Sequence, residues 1–237
     1  MSAPKRFFAE HISDEMTLSE EESRHARNVL RLAEGDEVTL FDGSGKEYSA
    51  IVTAVAKGGI SVHVVRESAS GREPKTWVFL LVGALKGDKT ELVVQKATEL
   101  GVSRIGVFSS RYCSAYMNVN KLERLNRVAR EAAKQCLRAS VPRVEYYETL
   151  EEALRAGAEC VTRLFACEFI SETEKVIDTG ATVCAVVGSE GGFAEEEYAL
   201  AQRLGYCGVS LGKRILRAET AAIALVSVIM HEAGELG

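Results

Sequence analysis

Up to residue 65 the apolar positions fall mostly in short runs, many of period two, the spacing of half-buried strands. Residues 5–10 are expected to form a first strand, and further β segments are expected over 37–41, 47–56 and 60–65. Asp42-Gly43-Ser44-Gly45 and Lys57-Gly58-Gly59 separate the last three and carry strong turn signals. Ahead of them, Ser19-Glu20-Glu21-Glu22 has the S-x-x-E form of a capping box and starts a helix through about Leu30. One helix among several short strands predicts a small β-barrel. The run 68–74, Ser-Ala-Ser-Gly-Arg-Glu-Pro, is small, polar and closed by proline, so it divides a domain of residues 1–72 from one of residues 73–237.

From Trp77 onward the period alternates between two and 3.6. Strands are expected over 77–85, 105–109, 143–147, 164–168, 183–187 and 209–211, and helices over 90–100, 122–139, 150–156, 194–204 and 219–230. Such alternation indicates an α/β domain with a mainly parallel sheet. The helix 122–139 places Leu122, Leu125, Val128, Ala129, Ala132, Ala133, Cys136 and Leu137 on one half of its wheel. Arg124, Arg127, Lys134 and Arg138 share the other, interrupted only by Glu131. A charged stripe is commonly a solvated face, but a nearly single-signed one repels itself unless a polyanion lies near. The last helix holds one polar side chain, Ser227, within 221–230. Apolar on every face, it has to be covered all round, and a sheet covers only one side.

Between residues 183 and 220 two strand–loop–helix units follow one another. Gly188-Ser189-Glu190-Gly191-Gly192 sets three glycines in five residues after a buried strand, a loop that admits positive φ or backbone contact with a ligand. The spacing is neither the dinucleotide-binding fingerprint nor the P-loop. Glu190, with Glu195, Glu196 and Glu197 just beyond, would repel a pyrophosphate and suits a neutral or cationic ligand. A tight turn without any ligand is the other reading.

Composition narrows the class of protein. Hydrophobic residues at 46% and three prolines describe an ordinary folded chain. Six cysteines form no C-x-x-C pair and no metal-ligand rhythm with the four histidines, so no metal is expected and the thiols read as reduced core residues. No apolar signal region opens the chain, and 221–230 is about half the length a bilayer needs, so a cytoplasmic location without a membrane is expected. The net charge of −5 opposes a nucleic-acid partner, but residues 104–143 hold nine Lys/Arg against two acids. A local basic field decides phosphate contact, not the total.

The paired motifs GSEGGF (188–193) and LGKRILRAETA (211–221) resemble the cofactor-binding end of the SPOUT methyltransferases, in particular the ribosomal RNA small subunit methyltransferase E family. The segment LKGDKTELVVQKATELGV (85–102), the H-x-x-x-V-L-R pattern of His25, Val29, Leu30 and Arg31, and Gln135-Cys136-Leu137-Arg138 with Val141-Pro142 extend the likeness over nearly the whole chain. The resemblance implies a PUA-like RNA-binding β-barrel in residues 1–72, ahead of a SPOUT-type α/β domain with a C-terminal trefoil knot in 73–237. It implies a homodimer through the apolar last helix. It also implies transfer of methyl from S-adenosylmethionine to ring nitrogen N3 of a uridine in 16S rRNA of the small ribosomal subunit.

By the same resemblance the cofactor pocket falls to Val187, Gly188, Glu190, Gly191, Gly192, Leu211, Gly212, Ile215, Leu216, Arg217 and Thr220. The reaction has to align the methyl with the nitrogen, remove the imide proton and stabilise charge on the ring. Arg217 is the candidate for positioning uracil or its phosphate, and Glu190 and Glu219 for accepting the proton, directly or through water; helix N-terminal capping is the plainer reading of Glu219. Candidate RNA contacts are Arg6, Arg31, Arg111, Arg124 and Arg138, with Arg31 open to being a solvated helix end. Methylation of a ribose hydroxyl or of another RNA, and a non-catalytic RNA-binding role, stay as alternatives.

Overall fold

Val38 and Leu40, Ala50 and Val52, and Ile60 and Val62 sit at alternating strand positions, and all six are buried. The structure, a computed structural model, describes residues 5–170 and 180–237. The chain folds as two units: residues 1–73 with 130–141, and residues 74–129 with 142–237.

In the first unit, strands β1 (Arg6–Phe8), β2 (Glu15–Thr17), β3 (Glu37–Phe41), β4 (Lys46–Ala56) and β5 (Gly59–Ala69) form one sheet in the order β1-β3-β4-β5-β2. β1 runs parallel to β3 and the remaining neighbours are antiparallel. Its core gathers Phe7, Leu18, Ala26 and Leu32 onto the alternating strand residues. Helix α1 (Glu20–His25) begins as expected, with the Ser19 hydroxyl accepting the Glu22 amide at 3.3 Å. The Glu22 carboxylate goes elsewhere, to Phe8 N at 3.3 Å and Lys134 Nζ at 2.6 Å. After α1 the chain widens into a π-turn over Ala26–Leu30, which Arg31 ends in the left-handed region at φ 52°.

The second unit is built on a sheet whose paired neighbours are all parallel. Its strands are β6 (Trp77–Gly83), β7 (Arg104–Phe108), β8 (Arg143–Tyr147), β9 (Thr162–Ala166), β10 (Thr182–Val187) and β11 (Cys207–Val209), in the order β11-β9-β10-β6-β7-β8. The central strands β6 and β10 are almost wholly apolar, as a strand covered on both faces must be. Phe79 and Leu81 of β6 and Cys184 and Val186 of β10 join a core with Phe165, Leu154 of α4 (Leu150–Ala156) and Ala201 of α5 (Glu195–Arg203). Val78, Leu80 and Val82 alternate with them and point to the opposite face. There α6 (Ala218–Glu232) packs on β6 and β10 and against α2 (Lys89–Glu99).

Helix α3 (Val119–Gln135) starts and stops earlier than its apolar pattern predicts. Leu137 takes φ 65°, and Arg138 N donates back to Ala133 O at 2.9 Å, a left-handed stop of the kind glycine usually supplies. No helix among the described residues is long and apolar enough to cross a membrane.

Candidate active site

Because the strands of this sheet are parallel, their carboxyl ends share one edge. β6 and β10 are neighbours, and Val82 faces Val187 in register. From β6 the chain moves to β7 on one side, whereas β10 has β9 on its other side. The connections thus part above the β6/β10 pair, the switch point where parallel sheets open a crevice. The loops 84–88 and 188–194 leave from there.

The second loop turns tightly, with Gly192 N bonded to Ser189 O at 3.0 Å and Gly192 at φ 68°, where a side chain would strain the backbone and strike the Glu168 carboxylate. Gly83, last in β6, lies so near that a Cβ would stand 2.5 Å from Ser189 N. A Cβ on Gly191 would stand 2.6 Å from both Cβ and O of Tyr112, in the loop after β7. Glu197 clamps these loops from α5: its carboxylate accepts Ala194 N at 2.8 Å and Arg111 N at 2.9 Å.

Charge converges beside this turn. Glu190 Oε1 accepts Lys86 N at 3.1 Å and Lys89 Nζ at 3.0 Å. Burial works against the charge of Glu190, yet the Lys89 ammonium and the backbone amides of Glu190 and Lys86 outweigh it and hold its carboxyl below the usual carboxylate value. Lys89 Nζ also stands 3.7 Å from Glu219 Oε2, at the start of α6. One ammonium thus lies between two carboxylates. Ser189 Oγ and Glu219 Oε2 are both buried without a hydrogen-bond partner among the described residues. A buried polar atom left so is costly, and a ligand that meets it removes the penalty.

The expected pocket and proton-accepting residues divide into two groups. Val187, Gly188, Glu190, Gly191, Gly192 and Glu219 are gathered around the β10 turn and Lys89. Leu211, Gly212, Ile215, Leu216 and Arg217 follow β11 on the same sheet edge, and Thr220 lies in the first turn of α6. Gly212 has φ 96° and open space around it, and Ile215 is 94% exposed. Arg217 is exposed at the N-cap of α6. Lys89 was not among the expected site residues. Its signal was two lysines flanking Gly87 and Asp88 directly after a buried strand.

The expected RNA contacts scatter. Arg31, Arg111 and Arg124 are exposed. Arg6 and Arg138 are buried inside the first unit: Arg6 bonds Glu47 Oε1 and Arg138 O at 2.7 Å each, and Arg138 meets Glu73 Oε2 at 3.1 Å. Carboxylates from other elements meet part of the single-signed stripe. Arg124 meets Glu91 at 2.9 Å and Lys134 meets Glu22 at 2.6 Å, which lessens the repulsion along the stripe.

The chain matches the family model of an RNA methyltransferase domain over residues 72–230 and that of an RNA methyltransferase PUA domain over residues 18–65. It is 31% identical to ribosomal RNA small subunit methyltransferase E of Rickettsia conorii over 217 residues, 89% of this chain and 87% of the relative. With the Bacillus subtilis protein of the same description it shares 31% identity over 231 residues, 91% of this chain and 90% of the relative. Among solved structures, ribosomal RNA small subunit methyltransferase E from Neisseria gonorrhoeae bound to S-adenosyl methionine superposes with a TM-score of 0.85 at 27% identity, covering 96% of this chain and 97% of the other. A methyltransferase from Legionella pneumophila in complex with SAM gives 0.87 at 29%, with the same coverage.

Proposed function

The chain belongs to the ribosomal RNA small subunit methyltransferase E family, and from that premise we propose that it methylates ring nitrogen N3 of a uridine in 16S rRNA, using S-adenosylmethionine. The observation that carries this reading is the Glu190–Lys89–Glu219 cluster beside a glycine turn whose buried serine hydroxyl has no partner among the described residues.

The residues suit the cofactor. One ammonium between two carboxylates leaves that cluster negative by one charge, which suits a ligand whose net charge is positive, as a sulfonium cofactor's is. The glycine turn at 188–192 and the loop after β11 offer backbone for the adenosyl part, with Ser189 Oγ a hydrogen-bonding atom that has no partner among the described residues. When bound, the cofactor supplies an electrophilic methyl group, so the protein has to position the uridine and take its imide proton.

Between the two candidate acceptors, the contacts favour Glu219. Oε1 of Glu190 is already held by two donors, whereas Oε2 of Glu219 has no hydrogen-bond partner among the described residues. Glu190 then keeps the Lys89 ammonium in place, and exposed Arg217 orients the ring or its phosphate. The C-terminal trefoil knot and a cytoplasmic location belong to the same proposal.

We include a homodimer. Leu225, Val226, Ile229 and Met230 of α6 are buried within the subunit, while Ile223, Ala224 and Ser227 are half-buried and Val228 is 40% exposed. That apolar strip is the surface a second copy would cover.

Labelled S-adenosylmethionine supplied with 30S subunits or free 16S rRNA, followed by nucleoside mass spectrometry, tests the reading. The expected product is 3-methyluridine. Ribose-methylated nucleoside would move the chemistry to a hydroxyl, and a folded protein that binds no S-adenosylmethionine in calorimetry would leave only an RNA-binding role.

A further inference from the structure

Two large aromatic side chains lie open to solvent in one connection, the first of them against the glycine turn. Tyr112 is 50% exposed and Tyr116 75% exposed, both in the connection between β7 and α3. This connection leaves the same sheet edge as the glycine turn, since β7 pairs with β6 in parallel and Phe108 faces Gly83.

The strap is held rather than loose. Cys113 N donates to Ser110 O at 3.0 Å, and the Cys113 thiol donates to Ala84 O at 3.2 Å. Glu197 holds the Arg111 amide at 2.9 Å, and Lys121 Nζ holds the Tyr116 carbonyl at 2.7 Å. The backbone of Tyr112 is seated so closely on Gly191 that no Cβ would fit there. Ser110 Oγ is also buried without a hydrogen-bond partner among the described residues. Rings presented by a fixed backbone lose little freedom when something stacks on them.

We propose that this strap is a stacking platform for unpaired nucleotides of the RNA substrate, with Tyr112 against the base presented to the glycine turn and Tyr116 against a neighbouring base. The proposal rests on the methyltransferase reading above and extends it to substrate recognition. A base has to leave its stack to be methylated on a ring nitrogen, and aromatic side chains commonly replace the lost stacking. Positive charge accompanies the rings: the Arg111 guanidinium lies 5.7 Å from the Tyr112 ring centroid. It meets Glu196 at 3.3 Å in an exposed ion pair, weak enough to be exchanged for a phosphate. Arginine beside a ring favours a nucleotide over an apolar peptide.

The test compares Tyr112→Ala, Tyr116→Ala and the corresponding phenylalanine variants. One readout is KM for the RNA substrate in methyl transfer; the other is quenching of a single-stranded oligoribonucleotide carrying 2-aminopurine. Each alanine variant is expected to raise KM and weaken the quench roughly tenfold, the effect of losing one base–aromatic stack. Phenylalanine is expected to recover most of the loss, and circular dichroism checks that every variant is folded. Methyl transfer with both alanine variants within about twofold of the wild-type KM, or an equal loss in the phenylalanine variants, would overturn the platform. Tyrosine-dependent quenching by a protein that methylates no rRNA would instead overturn the enzymatic reading and leave the platform standing.

Discussion

Gly83→Ala isolates the contact on which the crevice depends. Gly83 is buried at the end of β6, and its φ lies outside the left-handed region, so alanine brings no backbone strain. The added carbon would stand 2.5 Å from Ser189 N, 3.0 Å from Gly188 C and 3.1 Å from Ser189 Cα, all backbone atoms that no rotamer change can clear. Ordinary contact begins near 3.4 Å, so something has to move by about 0.9 Å in a densely packed region. β6 is paired on both sides, with β10 and β7, and the turn yields first. Overpacking of this kind costs roughly 1–3 kcal/mol. Melting followed by circular dichroism should therefore fall by roughly 2–4 °C for each kcal/mol in a chain of this size. The functional loss should be larger, because a misplacement of about 1 Å in a positioned site can cost on the order of a hundredfold in rate. Calorimetry with S-adenosylmethionine and labelling of 30S subunits measure it. Gly58→Ala serves as the control, since a Cβ there meets open space. A Gly83→Ala protein with wild-type melting, cofactor affinity and labelling would refute the claim that this close approach shapes the site.

Further outcomes can be checked alongside. Glu73 accepts from Arg138 Nε, Ala139 N and Ser140 N, so Glu73→Ala, which removes all three of these bonds and breaks the ion pair to a buried guanidinium, should cost roughly 3–5 kcal/mol in urea unfolding; a loss below ~1 kcal/mol would show the pair to be dispensable. Because the folded-state pKa of Glu190 is depressed, its charged form adds stability above the ordinary carboxylate value of 4.5, and that contribution is lost as pH falls through the lowered value. Lys89→Met should therefore lower melting relative to wild type at neutral pH and converge with it in acid; a pH-independent gap would sink the assignment. Arg124→Glu should weaken RNA binding and reduce the salt slope by about one unit, and an unchanged slope would return Arg124 to a solvated pair with Glu91.

Local chemistry made much of this fold readable. The alternation of strands and helices after Trp77 and the glycine turn at 188–192 are both set by residues near one another in sequence. β2 was not foreseen because three residues with one half-buried side chain, Met16, carry no periodicity. The stop at Leu137 was missed because a left-handed leucine gives no signal of the kind glycine does. Ion pairs were the least readable: Lys134 meets Glu22 across 112 positions and Arg138 meets Glu73 across 65. A stripe that looks single-signed on its own wheel therefore says little about the charge around it. Lys89 was missed for a related reason, since its carboxylate partners Glu190 and Glu219 lie far along the chain.

The first unit closes only when residues 130–141 join residues 1–73. Phe41 packs with Ala133 and Ala139, and Glu73 finds Arg138, so a ribosome that has released the N-terminal strands has not yet supplied their last partners. At ordinary elongation rates the wait from residue 73 to residue 141 is roughly 3 to 14 seconds, during which a small sheet waits with part of its core uncovered. A fragment cut at the Gly71–Pro74 stretch would remain in that unfinished state permanently, whereas a fusion returning residues 130–141 through a short linker would supply what the nascent chain waits for.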